Sequence, residues 1–276
     1  MLYITLNERG TTIFWVRILP STDNWETTYQ RIKKTRITFP NLVLICEDVL
    51  QSMQEITINL KDDIRSNWGS KELPPFQQFA SIYFYRNNTY LQSAYLLASG
   101  AFCGPSRDLQ RTVFETILRG YLFIVDNREA ELMYHYIEGK IAKGELATLR
   151  KRNFWPFEYV VKMLYSKDRQ KKHKTLFEGL SRFSHPSILS AFKDLEYSAT
   201  EIEDCLNCTL CLSYGSIQMI SEGFLNLLTL ASKKKIKETL LEIADCQGEI
   251  ALFEPNKQHW SSKIKLKSGN FISVLK

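Results

Sequence analysis

From Pro40 to about residue 245, apolar residues recur three and four positions apart in one long segment after another. Leu42, Ile45, Val49, Met53 and Ile56 make the first stripe. That spacing lines one side of an α-helix and no side of a strand. Phe79, Ile82, Tyr83, Tyr90, Ala94, Leu97, Ala98 and Ala101 make the second, opened by Pro74-Pro75 and with a break expected at Asn87-Asn88. Leu109, Val113, Ile117, Gly120, Tyr121 and Ile124 make the third. It opens at Gly104-Pro105, and proline suits a first helical turn. At about 1.5 Å per residue the longest of these helices run roughly 35–45 Å, the dimensions of a bundle. Each has an apolar side that must be covered by the others. The pattern therefore predicts a mainly α protein, a multi-helix bundle with its helical body over about 41–245, in a single domain of residues 1–276. With 44% apolar and 24% charged residues, the chain carries enough core material to fold without a disulfide or a structural metal.

Later segments continue the theme. Residues 128–144 read as helix, and another begins at Trp155-Pro156. The stretch 166-SKDRQKKHK-174 reads as a basic connector or a basic helix start, followed by helix over 175–183 and a short helix over 187–196. The longest late helix is expected from about Thr200 to Ser232, on Ile202, Leu206, Leu210, Ile217, Ile220, Phe224 and Leu228, with a last helical piece after it. The chain ends differ. Residues 2–7 and 11–19 are β-branched and aromatic around 8-ERG-10, which predicts a hairpin over about 2–19. The segment 249–275 reads as strands with a turn at Ser268-Gly269, and 21–40 as a polar, basic connector.

Thirty-six Lys and Arg against 30 Asp and Glu leave a formal charge of +6, which permits an anionic partner without demanding one. No apolar run approaches the roughly 18 residues of a membrane span, so no membrane partner is expected. The first residues lack the order of a signal peptide. A cytoplasmic location is therefore expected, where the six cysteines stay reduced. The sequence contains no P-loop, dinucleotide fingerprint, zinc-protease helix or nucleophile elbow. No cofactor is expected.

One constellation suggests chemistry. In 180-LSRFSHPSIL-189, Arg182 and His185 stand three apart and the chain breaks at Pro186. The residue before a proline is pushed out of helical backbone, so His185 leaves the helix that holds Arg182 and caps the next. At a helix N-terminus the charged ring is disfavoured, and a neutral imidazole accepts a proton. Arg182 carries a fixed charge suited to phosphate. A base for a 2′-hydroxyl and a cation for the growing phosphorane charge are what metal-independent RNA cleavage needs. The leaving oxygen needs an acid as well, which calls for a second copy in a homodimer. The plainer account is that Arg182 bonds its helix's last carbonyls and His185 is an ordinary cap.

Other candidates are weaker. Arg107, Arg111, Glu115 and Arg119 fall four apart on one helix, either as surface ion pairs or, facing a groove, as phosphate contacts. Cys205, Cys208 and Cys211 have iron–sulfur-like spacing, but inside a helical pattern they read as small packing residues and no metal is expected. Arg128 and His135 stand seven apart, as a helical pair would. The basic runs 31–36, 150–153, 167–174 and 233–237 fall at presumed helix ends, as solvated connectors or as parts of an RNA-binding face.

The segments 93-SAYLLASGAFCGPSRDLQRTVFETILRGYLF-123 and 180-LSRFSHPS-187 resemble a group of mostly helical microbial proteins of the HEPN-like kind, over about residues 75–230. The resemblance implies an all-helical, often dimeric bundle, and a metal-independent ribonuclease of a toxin or defence system. The family's arginine is followed by a polar residue, with a histidine four to six positions on. Arg182 and His185 have two residues between them and Phe183 follows the arginine; Arg128 and His135 have six between them and Glu129 follows. The competing expectation is a non-catalytic helical module that binds protein or nucleic acid.

Overall fold

The structure is a computed structural model that describes residues 2–6, 12–16, 25–69, 72–138, 156–184 and 198–246. It is mainly helical. Nine helices occur among the described residues: α1 Trp25–Thr38, α2 Pro40–Trp68, α3 Pro75–Ser99, α4 Cys103–Val125, α5 Asn127–Ile137, α6 Phe157–Leu164, α7 Lys167–Ser184, α8 Ala199–Gly223 and α9 Leu230–Cys246. Before them the backbone of Leu2–Leu6 (β1) pairs antiparallel with Thr12–Val16 (β2), Leu2 opposite Val16 and Leu6 opposite Thr12. The strands expected over 249–275 and the short helix over 187–196 lie outside the described residues.

Helix α8 is the centre of the bundle, packed on α2, α3, α4 and α9. Its surface is buried nearly all round because small residues let its neighbours approach. Cys205, Thr209, Ser213, Gly215, Ser216 and Gly223 alternate with Leu206, Leu210, Ile217 and Ile220. A Cβ on Gly120 of α4 would collide with the side chain of Met219 on α8, so this crossing depends on the glycine. The start of α8 is fixed by Ser198. Its hydroxyl accepts from the Glu201 amide at 3.2 Å while Glu201 returns a bond to the Ser198 amide at 3.1 Å, a reciprocal cap that satisfies two otherwise free donors.

The α2 stripe is confirmed, and the helix ends at Trp68. Gly69 takes the left-handed backbone at φ 70°, and its amide bonds the Arg65 carbonyl at 3.2 Å. The break expected at Asn87-Asn88 is not there. Helix α3 runs straight through, since both amides are buried and bonded sideways. Asn87 donates to the Ser216 hydroxyl at 3.1 Å and accepts from Thr116, and Asn88 donates to Thr57 at 3.3 Å. The residues that suggested a loop instead tie α3 to α2, α4 and α8.

Two further expectations need correction, and one open choice is decided. Residues 25–38 form α1 rather than a connector, so the helical body begins earlier than residue 41. α1 has little apolar surface of its own and is held by tertiary contacts. Thr35 is buried and donates to the Ser99 carbonyl at 2.9 Å, and the Arg31 guanidinium lies 5.5 Å from the centre of the Phe102 ring. Of the two readings of 167–174, the basic helix start holds: the stretch is the first half of the 18-residue α7. The single late helix expected over 200–232 is two helices. α8 stops at Gly223, and α9 restarts at Leu230 beneath the buried carboxylate of Asp63, which accepts from the Thr229 amide at 3.0 Å.

The α3–α4 elbow needs only Gly100, Ala101 and Phe102. The Phe102 amide bonds the Leu97 carbonyl at 2.7 Å and the Ala101 amide bonds Ala98 at 2.9 Å. This pair of bonds closes a helix around a left-handed residue. That residue is Ala101, at φ 62°, where glycine is usual. Gly100 sits one place earlier for a different reason: a Cβ there would stand 3.1 Å from the Phe102 ring.

Candidate functional site

Helices α4 and α7 pack antiparallel, and Arg111, Glu115 and Arg119 lie along their seam among aromatic side chains. Phe114 of α4 stacks on His173 of α7 at 5.9 Å, and Arg111, nearly one turn back along α4, stands 4.8 Å over Phe177, one turn on along α7. Carried on by another turn, this register sets the backbone position of Arg182 level with the first turns of α4, where Arg107 stands. Arg182 is described as a helical position only. His185 lies outside the described residues, as do the basic run 150–153 and Pro186.

The row on α4 is resolved in detail. Glu115 takes Arg111 on one oxygen at 3.2 Å and Arg119 on the other at 3.1 Å. One carboxylate therefore divides two guanidiniums and leaves one net positive charge. All three side chains are partly covered, between 24% and 32% exposed, so the pairs are firmer than fully wet ones but remain open to a competing anion. Phe177, against which Arg111 lies, stacks on Phe157 of α6 at 4.1 Å between centres. Glu115, Leu118, Arg119, Phe157 and Val160 line a narrow crevice there. Arg107, one turn earlier on α4, carries its charge close to Cys205 at the α4–α8 seam.

The outer side of α7 is strongly basic. Lys167, Lys171, Lys172 and Lys174 are exposed, while His173 and Leu180 are buried. Helical spacing places positions 167, 171, 174, 178 and 182 on one face, a line of about 22 Å. Glu178 is the acidic member, 3.9 Å from Lys174 with both more than half exposed.

His173 is a residue the sequence reading passed over. It is fully buried, stacked on Tyr165 at 4.0 Å and on Phe114. Its Nδ1 lies 2.8 Å from the Arg169 carbonyl oxygen. A carbonyl only accepts, so Nδ1 carries the proton of a neutral ring. Burial pushes its pKa down from 6.5 to about 4. The available signal was the spacing of His173, Phe177 and Leu180, masked by lysines on either side.

Arg128 and His135 are not brought together as a pair. Arg128 is tied at the start of α5 to Asp126, with Nε 3.0 Å and a terminal nitrogen 2.8 Å from its two carboxylate oxygens. His135 is in the last turn, edge-on to Tyr134 at 6.0 Å. Cys205 is buried in α8, with Cys208 and Cys211 half-buried. Among the described residues no group of three or more histidine, cysteine or acidic side chains is placed to hold a metal. Among them, too, no helix is long and apolar enough to cross a membrane.

No protein family, curated protein or solved structure matches the chain. The arrangement itself defines an all-helical bundle with one strongly basic helix face beside a guanidinium–carboxylate–guanidinium seam.

Proposed function

We propose that the protein binds RNA along the outer face of α7 and acts on it as a HEPN-like, metal-independent endoribonuclease. The observation that carries the reading is the line of Lys167, Lys171 and Lys174 on the helix that leads to Arg182 and the His185 joint. Successive cations on one helix face suit the regular negative charge of a phosphate backbone. In this reading His185 takes the 2′ proton and Arg182 steadies the charge on the phosphorane. Arg111 and Arg119 contact the backbone beyond it, where an incoming phosphate competes with Glu115 for the guanidiniums. Arg107 stands level with Arg182 by helix register, but its charge serves Cys205 and is left out of that surface. The second imidazole that the leaving oxygen needs comes from a homodimer partner. Terminal β-segments over about 2–19 and 249–275 complete the proposed fold outside the helical body.

The test is cleavage of an unstructured RNA in excess chelator, beside His185→Ala. Cutting by the unaltered chain that drops at least 100-fold in the variant supports the enzyme. Cutting that persists in the variant, or none by either, refutes it. One observation favours a non-catalytic interaction module: Arg111 and Arg119 are already satisfied by Glu115, and Arg111 by Phe177 as well. Under that reading the row fastens α4 to α6 and α7, and RNA is bound without being cut.

A further inference from the structure

The α4–α8 seam holds thiols that the RNA reading does not use. Cys103 is the first residue of α4, and Cys205 meets it from α8; both are fully buried. The Cys205 thiol lies 3.9 Å from the Cys103 carbonyl oxygen, which brings the two cysteines side by side. Arg107, one turn along α4, brings its positive charge close to Cys205. The carboxylates near the pair are Asp204 and Glu201, both on α8. Two thiols from different helices therefore face each other beside a fixed positive charge.

We propose that Cys103 and Cys205 form a peroxide-responsive disulfide site, in which Cys205 attacks, Cys103 resolves and Arg107 stabilises the attacking thiolate. Thiolates and not thiols are the nucleophiles of this chemistry, and a neighbouring cation selects which cysteine reacts. The Cys103 hydrogen bond and the Arg107 charge hold the Cys205 thiol below its ordinary range. Burial pushes Cys46 up to about 12 and Cys208 upward, which keeps those thiols inert.

The oxidant is hydrogen peroxide, small enough to reach the pair when the first turn of α4 opens locally. In the first step the Cys205 sulfur bonds one peroxide oxygen and the O–O bond breaks. The departing hydroxide takes the Cys205 proton and leaves as water, and Cys205 becomes a sulfenic acid. In the second step the Cys103 sulfur attacks that sulfur. The S–S bond forms, the S–O bond breaks, and the hydroxyl departs as water with the Cys103 proton. Two thiols are oxidised and one peroxide is reduced to two waters. The product links the first turn of α4 to α8 across 102 positions of the chain, and cross-links that close long loops raise the unfolding temperature.

The site does not depend on the RNA reading and is tested without RNA. The full chain is reduced, freed of reductant, treated with hydrogen peroxide, unfolded in iodoacetamide and mapped by tandem mass spectrometry. The expected result is a Cys103–Cys205 cross-linked peptide, removed by dithiothreitol and absent from Cys205→Ser. In Cys103→Ser the sulfenic acid persists on Cys205 and is trapped by dimedone. The proposal is overturned if both cysteines carry the iodoacetamide label after treatment, or if the linkage joins a different pair. It is also overturned if folded Cys103→Ser gives no dimedone adduct. Should either variant fail to fold, the peptide map of the unaltered chain decides alone.

Discussion

His173 should make the protein acid-sensitive in a pH range where most surface groups are silent. Its ring is sealed between Tyr165 and Phe114 and bonded to the Arg169 carbonyl, so the folded chain keeps it neutral down to about pH 4, against an ordinary value of 6.5. The unfolded chain takes up the proton first as pH falls through the ordinary value. Unfolding is then favoured increasingly until the folded form also protonates. The stability that neutral His173 allows is thus complete above about pH 6.5 and is lost between there and about pH 4. At about 1.4 kcal/mol per pH unit, the whole loss is roughly 3 kcal/mol, with about 2 kcal/mol of it gone by about pH 5. Carboxylates add their own pH dependence, so the informative quantity is a difference. His173→Phe keeps an aromatic ring in the slot and removes the titration. Urea unfolding of both proteins at about pH 7.5, 6 and 5 should show the unaltered chain losing roughly 2 kcal/mol more than the variant. A difference that stays flat over that range, or an imidazole resonance of His173 titrating near 6.5, would refute the reasoning.

Two further outcomes follow from local geometry. Ala101→Gly should stabilise the protein by about 1 kcal/mol, measured as a rise in the urea midpoint with unchanged slope, because Ala101 occupies left-handed backbone that costs a Cβ and suits glycine. Asp63→Ala should cost about 1–3 kcal/mol in the same assay, since it strips the acceptor from the Thr229 amide at the start of α9; a change under about 0.5 kcal/mol would contradict that role.

The long helices were legible because their residues state the period themselves. Val49, Met53 and Ile56 of α2 are buried as the spacing requires, and the third stripe became α4. What the sequence hid was set by distant partners. α1 has no stripe strong enough to announce it; it exists because Thr35 and Arg31 find Ser99 and Phe102 on the α3–α4 elbow. Asn87 and Asn88 looked like a break because asparagine favours turns, yet Ser216, Thr116 and Thr57 supply the bonds that keep them in a helix. The α8–α9 boundary carries no proline, and apolar spacing runs across it through Phe224 and Leu228. The start of α9 is set by Thr229, whose hydroxyl accepts from the Ser232 amide at 3.3 Å and whose own amide donates to the carboxylate of Asp63, far away in the chain. At the site, the four-residue spacing correctly placed Glu115 within reach of Arg111 and Arg119. It gave no hint that Arg107 brings its charge close to Cys205, since both sides of a helix look alike until its neighbours are known. His173 was lost among lysines that share its helix but not its face.

The central claim is that α7 presents its lysines to a phosphate backbone. The most direct measurement is the affinity for a short single-stranded RNA, by fluorescence anisotropy, as salt is raised. With each neutralised phosphate contributing about −0.7 to the log–log slope, the unaltered chain should give about −2 or steeper, and Lys171→Glu with Lys174→Glu should flatten it by about 1.4. A slope near zero, or one left unchanged by both substitutions, would contradict the account.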